Sequence, residues 1–172
     1  PASIVVLHAC CHNPTGVDLT AEQWTAVIET VGSRHLIPFI DIAYQGFGED
    51  VDTDGEVVRR FAQAGGPVFV SNSFSKSFSL YGERVGALSV VADNGDEAAR
   101  VLSQLKRTVR TNYSNPPTHG GQIVATILTT PELRELWERE LGQMRERIRD
   151  MRRQLVESLR VRAPRADFEF VM

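Results

Sequence analysis

Short apolar runs alternate with amphipathic stretches along the chain. Four of these runs have the length and the β-branched content of buried strands; they are Ile4 to Leu7, Leu36 to Ile42, Val68 to Val70 and Val85 to Val91. The stretches between and after them repeat their apolar residues at helical spacing. Because strands that alternate with helices form parallel sheets through right-handed crossovers, the pattern predicts an α/β fold with a mostly parallel sheet.

Capping residues mark where the helices begin. Thr20 and Gln23 have the spacing of a capping box before the first helix. Thr130, followed by a proline, begins the longest element, a helix expected over 131–163. Arginines alternate with acids along this helix, which predicts a solvated face rather than a surface for membranes or nucleic acid. The acidic segment from Glu49 to Glu56 is expected to be a loop that leads into a helix over Glu56 to Ala64. Two further helices are expected, one that begins within 93–96 and one over His119 to Leu128.

Composition narrows the class of protein. The chain has 172 residues, of which 42% are hydrophobic and 24% charged, as in a globular domain with a core. A net charge of -3 provides no basic field for nucleic acid, and no apolar run approaches the roughly 18 residues of a membrane span. Cys10 and Cys11 are adjacent and offer no disulfide framework, which favours reduced thiols in a cytoplasmic protein.

Polar residues follow the first three predicted strands. Asn13 comes after the first strand, Asp41 ends the second, and Lys76 follows the third, about one βα unit apart. If these strands are parallel, the three side chains meet at one edge of the sheet, where α/β proteins bind ligands. Asp41 follows an apolar run, so we expect it to be partly buried and to need a cationic or donor partner. Individually these residues, and Tyr44 nearby, are equally typical of turns or packing; together they favour a site.

Lys76 lies in a serine-rich loop that is followed by Arg84. A lysine can form an imine with an aldehyde cofactor once burial or a neighbouring charge lowers its pKa. Hydroxyl groups and a guanidinium suit a phosphate. Lys76 and Lys106 are the only lysines among 19 basic residues, so a lysine at this place is less expected as an ordinary surface charge. The combination suggests pyridoxal phosphate, with a solvated loop lysine as the alternative.

Four segments carry a resemblance to a known family. They are His12 to Gly16 (HNPTG), Asp41 to Phe47 (DIAYQGF), Ser71 to Gly86 (SNSFSKSFSLYGERVG) and Arg110 to Pro117 (RTNYSNPP). In this order they resemble the fold-type-I aminotransferases, and most closely the aspartate and aromatic-amino-acid subgroup. The resemblance runs from Ile4 to at least Pro117. It implies a three-layer α/β/α fold, the large domain of a pyridoxal-phosphate-dependent transferase.

The resemblance also implies roles for individual residues. Lys76 matches the lysine that binds the cofactor and moves a proton, and Asp41 matches the partner of the pyridine nitrogen. Asn13 and Tyr44 match the groups that bond the ring's phenolic oxygen. Ser73 and Arg84 match ligands of the cofactor's phosphate. Arg110 matches an arginine that, in dicarboxylate-using relatives, crosses the dimer interface to bind the substrate. Asn13 is also expected to face the substrate.

The implied reaction is transfer of an amino group between an amino acid, aspartate or aromatic, and a 2-oxo acid, in a homodimer with shared active sites. We expect the chain to be a piece of a longer protein, because it begins at Pro1 with strand-like sequence and breaks off in an apolar alternation. Residues 1–163 are expected to belong to the large domain and 164–172 to begin a small one. A catalytically incomplete fragment or cofactor-binding module remains an alternative, as does another reaction of the same fold type, such as β-elimination.

Other kinds of site have weaker support in the sequence. His8, Cys10, Cys11 and His12 include metal-ligating types, but adjacent cysteines do not easily bind one ion together and no second cluster follows, so no metal is expected. The segment Gly46-Phe47-Gly48 lacks the third glycine of a dinucleotide-binding loop, so a dinucleotide site is not expected. The serines around Lys76 do not form the G-x-S-x-G pattern of a hydrolase.

Overall fold

The computed structural model describes residues 3–171, and its centre is a four-stranded sheet. Strand order follows the sequence, β1-β2-β3-β4. The first three strands are parallel and β4 runs antiparallel to β3, which confirms the mostly parallel sheet predicted from the pattern. The strands are β1 (Ile4–His8), β2 (Ile37–Ile42), β3 (Val68–Ser73) and β4 (Gly86–Val91).

The direction of β4 follows from its connection to β3. A parallel neighbour needs a crossover of a dozen or more residues, usually with an α-helix. Residues 74–85 contain only a short turn of 3-10 helix, Tyr81–Glu83. The chain therefore turns back beside β3 and pairs with it in the antiparallel direction. Through this pairing, β3 extends beyond its apolar run to include the polar residues Ser71, Asn72 and Ser73.

Helices account for most of the remaining chain. The capping box predicted at Thr20 is present, because the Thr20 hydroxyl accepts from the Gln23 amide and the Gln23 side chain accepts from the Thr20 amide, at 3.3 and 2.9 Å. An acidic stretch predicted as loop contains one short helix, α2, capped by Asp50. The helices are α1 (Ala21–Ser33), α2 (Val51–Asp54), α3 (Glu56–Ala64), α4 (Gly95–Asn112), α5 (Thr118–Thr129) and α6 (Pro131–Arg162).

The core lies between one face of the sheet and helices α1 and α3. Alternate residues of the central strands point into it, and Ile40 and Val68 are almost completely buried. Trp24 of α1 meets Phe61 of α3 edge to face, with ring centroids 6.4 Å apart. The parallel pairing of β1, β2 and β3 makes the carboxyl ends of these three strands face the same way.

The opposite face of the sheet is only partly covered within residues 3–171. Ile4 and Val6 of β1 are 62% and 67% exposed. Phe39 and Phe69 stack on each other across β2 and β3, with parallel rings 6.0 Å apart. In the same residue range, none of the helices combines the length and apolar character needed to cross a membrane.

Helix α6 is the longest element, with 32 residues, and it packs along α5. Its buried side chains include Leu141 and Val156. Ion pairs such as Arg134 with Glu138 lie on its exposed side, as the alternating charges predict. The division of the chain at residue 164 stays a prediction, and Met172 lies outside the described residues.

Candidate active site

The carboxyl ends of β1, β2 and β3 form one edge of the sheet, and the predicted site residues follow them. The strand register places Asp41 beside His8 of β1 and Ser71 of β3. Asn13 lies in the loop after β1, and its backbone amide donates to Nδ1 of His8 at 3.4 Å. Asn13 is thereby connected, through His8, to the row that contains Asp41.

Lys76 and Tyr44 meet at this edge. The Lys76 Nζ atom lies 4.8 Å from the centroid of the Tyr44 ring, within the range of a cation–π contact. The two residues come from the loops after β3 and β2, which are neighbouring strands. Both side chains are partly buried. The structure therefore brings together an amine and a phenol that are distant in sequence.

The loop that carries Lys76 is fixed from several sides. Its flanking residues Ser75 and Ser77 are only 6% and 5% exposed. The indole N–H of Trp137, on α6, donates to the Ser77 carbonyl oxygen at 2.7 Å. The same indole stacks on Phe78, with ring centroids 4.5 Å apart. Helix α6 thus holds the residues on the C-terminal side of Lys76, a role of Trp137 that sequence reasoning missed because the indole looks like one more apolar position of the helix.

The loop after β1 folds back on itself around Asp18. The Asp18 carboxylate accepts from the amides of Cys11 and His12, at 2.7 and 2.8 Å. The His12 ring bonds the Thr15 hydroxyl, and it lies 4.9 Å from the His8 ring. The peptide bond between Asn13 and Pro14 is cis. Sequence reasoning missed Asp18, because nothing in its spacing marks it as a partner of the loop.

The loop after β2 is held by the carboxylate of Asp54. This carboxylate is 7% exposed and accepts from the backbone amides of Gly46, Gly48 and Glu49, at 2.7, 2.9 and 2.9 Å. Asp54 also escaped the sequence reasoning, because it is one of several acids in a stretch predicted as loop. The bonds fix the chain that leads directly away from Asp41 and Tyr44.

The remaining predicted residues lie farther along the chain. Ser73 ends β3 opposite Gly86, and its hydroxyl accepts from the Ser75 amide at 3.3 Å. Arg84 is exposed, has a left-handed backbone with φ of 52°, and donates to the Tyr81 carbonyl at 3.2 Å. Arg110 is exposed in the last turn of α4 and donates to the Ser114 hydroxyl. The ligand-binding roles of all seven predicted site residues stay predictions; they are Asn13, Asp41, Tyr44, Ser73, Lys76, Arg84 and Arg110.

The two cysteines next to the site share a hydrogen bond. It raises the pKa of the Cys10 thiol far above its ordinary value, with burial acting in the same direction, and it lowers the pKa of Cys11. Both thiols are free, and Cys10 is 7% exposed. Cys10 is therefore held as a neutral, packed thiol in the core.

The fold is that of an α/β protein, a class whose members bind ligands at the carboxyl ends of parallel strands. The chain belongs to the aminotransferase class I and II family, whose family model matches residues 1–172.

Known relatives agree with this assignment. The aspartate aminotransferase of Pseudomonas aeruginosa is 62% identical over 169 residues, which are 98% of this chain and 42% of the relative. The aromatic-amino-acid aminotransferase of Escherichia coli K12 is 55% identical over 170 residues, 99% of this chain and 43% of the relative.

A solved structure has the same fold. The aromatic-amino-acid aminotransferase from Burkholderia pseudomallei, covalently bound to pyridoxal phosphate, superposes with a TM-score of 0.97 at 66% identity. The match covers 99% of this chain and 43% of that one. The chain thus spans less than half the length of these relatives, and its predicted fold class and family are confirmed.

Proposed function

We propose that the protein is a pyridoxal-phosphate-dependent aminotransferase that transfers an amino group between an amino acid, aspartate or aromatic, and a 2-oxo acid. The observation that carries the proposal is the approach of the Lys76 amine to within 4.8 Å of the Tyr44 ring, at the edge that also bears Asp41. The names of the relatives support the same reaction.

The groups at this edge fit the chemistry of the cofactor. An amine is needed for its aldehyde, and the Lys76 amine is partly buried beside an aromatic ring. A carboxylate suits a protonated pyridine nitrogen, and Asp41 is partly buried in the row between His8 and Ser71. The Tyr44 hydroxyl and the Asn13 amide group are donors suited to a phenolic oxygen. Ser73 and Arg84 supply a hydroxyl and a guanidinium for the phosphate.

Each of these residues has a distinct task in the proposed reaction. When bound, pyridoxal phosphate supplies an electron sink for the bonds at the substrate's α-carbon. Lys76 holds the cofactor and carries a proton through its Nζ atom. The Asp41 carboxylate would keep the pyridine nitrogen of the cofactor protonated, because a nearby negative charge stabilises a cation. Asn13 and Tyr44 orient the ring by donating hydrogen bonds.

The proposal extends to the substrate and the assembly. Arg110 is exposed and has the fork geometry that binds carboxylates in pairs of hydrogen bonds. We assign it to the distal carboxylate of a dicarboxylic substrate held by the partner subunit of a homodimer, in which Asn13 also faces the substrate. We further propose that the enzyme acts in amino-acid metabolism in the cytoplasm.

The lysine content of the chain provides a matched test. The intact protein, loaded with pyridoxal phosphate, is expected to show an absorbance band in the near-ultraviolet to visible range that changes when aspartate or an aromatic amino acid is added. Lys76→Ala should leave the cofactor without a covalent link to the protein, so that borohydride reduction no longer fixes it to the chain, whereas Lys106→Ala, the same change on α4, should keep the link. A cofactor that is still fixed by reduction in Lys76→Ala would contradict the assignment of this lysine.

The same protein distinguishes the alternatives. A band that does not respond to amino acids would indicate a cofactor-binding module without transaminase activity. Release of pyruvate from cysteine would indicate β-elimination. Arg110→Ala should reduce activity on aspartate more than activity on phenylalanine, with Arg107→Ala as the control one turn earlier on α4; equal losses on both substrates would contradict the role of Arg110.

A further inference from the structure

The loop that follows Tyr44 is held by a buried carboxylate. This loop, Gly46 to Glu49, donates three backbone N–H groups to Asp54, at 2.7 to 2.9 Å. Asp54 is 7% exposed, so these three donors take the place of water at its carboxylate oxygens. The hydrogen bonds are therefore the reason that a carboxylate occupies this position.

Helix α6 holds the same loop from its other side. Arg145 donates to the Gly46 carbonyl at 2.8 Å, and Arg149 donates to the Gly48 carbonyl at 2.6 Å. The Arg145 side chain is only 18% exposed, and its Nε atom has no hydrogen-bond partner among the described residues. The loop is thus fixed by its amides and by its carbonyls at once.

The fixed loop leads directly to Tyr44. Phe47, inside the loop, donates its amide to the Tyr44 carbonyl at 3.0 Å. Gly46, the first residue bonded to Asp54, is only two residues from Tyr44, too short a connection to absorb a displacement of the loop. The position of the Tyr44 ring beside the Lys76 amine therefore depends on the loop.

A simple helix-capping role does not account for Asp54. Asp50, four residues earlier, is the cap of α2, because its carboxylate accepts from the Thr53 amide and hydroxyl at 2.6 and 2.9 Å. Asp54 ends α2, yet its three amide partners lie upstream in the loop. Its contacts serve the loop.

We propose that Asp54 is a positioning residue: by holding the Gly46 to Glu49 loop, it sets the Tyr44 hydroxyl in the place where it bonds the cofactor. This role rests on the proposed function of Tyr44. Asp54→Asn replaces an acceptor oxygen with a donor NH2 group that faces amide donors, so the loop loosens while the fold keeps a side chain of the same size.

The test is a double-mutant cycle on the intact protein loaded with pyridoxal phosphate. The measurement is the pH titration of the cofactor's absorbance band in wild type, Asp54→Asn, Tyr44→Phe and the double variant. Loss of a hydrogen bond to the deprotonated chromophore raises its pKa. Asp54→Asn should therefore raise the midpoint by about 0.5 to 1 pH unit, and by nothing further when Tyr44 is already Phe. Asp50→Asn, the matched control, should leave the midpoint unchanged.

A second measurement does not need the cofactor. Hydrogen exchange of the Gly46, Gly48 and Glu49 amides in the apoprotein should quicken at least about tenfold in Asp54→Asn and stay unchanged in Asp50→Asn. If Asp54→Asn does not fold, Arg145→Met, which removes the donor to the Gly46 carbonyl, should shift the midpoint in the same direction and only when Tyr44 is present.

The outcomes separate this role from the proposed function. The positioning role would be overturned if Asp54→Asn shifted the midpoint equally with and without the Tyr44 hydroxyl, or if it left the amide exchange unchanged. The proposed function would still stand in that case, as long as the absorbance band responds to amino acids. A wild-type protein without that band would overturn the proposed function, and the positioning role with it.

Discussion

A single methyl group at Gly46 tests how tightly α6 is packed against the site. Gly46 has φ of 92°, a backbone conformation that side chains rarely adopt. A Cβ atom there would lie 2.3 Å from Cδ2 of Leu141 and 3.1 Å from its Cγ. Leu141 is 1% exposed, so its side chain has no open space into which it can turn. Gly46→Ala therefore requires the helix or the loop to move.

The size of the effect follows from two separate terms. A left-handed backbone at a residue with a Cβ costs about 1–2 kcal/mol. Forcing an extra methyl group into a closely packed core costs about 1–3 kcal/mol more. We expect Gly46→Ala to lower the free energy of unfolding by about 2–5 kcal/mol, a large part of the roughly 5–15 kcal/mol of a typical protein.

Gly16 provides the control for the backbone term. Its φ is 67°, and a Cβ there would lie 3.6 Å from the Arg152 Nη2 atom, an ordinary van der Waals contact. Gly16→Ala should therefore lose only about 1–2 kcal/mol. Urea unfolding of the intact protein, followed by circular dichroism, measures both variants, and the difference between them reports the crowding at Gly46 by Leu141 and, at 3.3 Å, by Val51.

Leu141→Ala completes the cycle. Alone it should cost about 2–5 kcal/mol, because it leaves a cavity in the core. Combined with Gly46→Ala it makes room for the new methyl group, so the double variant should be about 1–3 kcal/mol more stable than the sum of the single losses predicts. Equal losses for Gly46→Ala and Gly16→Ala, together with additive effects in the cycle, would refute the packing described for Gly46 and Leu141.

Two further predictions concern other contacts. Trp137→Phe keeps the stacking on Phe78 but removes the 2.7 Å hydrogen bond to the Ser77 carbonyl, so urea unfolding should show a loss of about 1 kcal/mol or more; an unchanged stability would contradict the anchoring of the Lys76 loop by α6. The hydrogen bond from the Thr20 hydroxyl lowers the pKa of Glu22, so this carboxylate stabilises the fold above its unfolded pKa and loses that effect as the pH falls through the folded pKa. Glu22→Gln should therefore be less stable than wild type near neutral pH and equal to it in acid, as pH-dependent unfolding would show; a constant difference would contradict this.

The sheet was largely predictable from the sequence because its rules are local. Apolar runs gave the strands, and helical spacing between them gave the parallel pairing of β1 to β3. The β3 strand was longer than its apolar run, because backbone pairing with β4 needs no apolar side chain at Ser71 or Ser73. The antiparallel direction of β4 depends on a connection that holds only a short 3-10 turn and no crossover helix, which the hydrophobic pattern does not register.

The partners of the site loops could not be predicted, because they depend on contacts that sequence spacing does not encode. Three acids of one short stretch illustrate this. Asp50 caps α2 and Asp52 is exposed, whereas Asp54 is buried among the loop amides. All three have similar neighbours in the sequence, and only the folded chain separates them.

Helix α6 explains why the motifs identify the site without determining its geometry. The arginines that hold the loop after β2 are 99 and 101 residues away from the carbonyls they bind. Trp137, on the same helix, holds the loop after β3 through the Ser77 carbonyl. The motifs supply Tyr44 and Lys76, but the two loops that carry them are anchored to one helix. A change in the position of α6 would therefore act on both side chains together, and their separation is set by packing outside either motif.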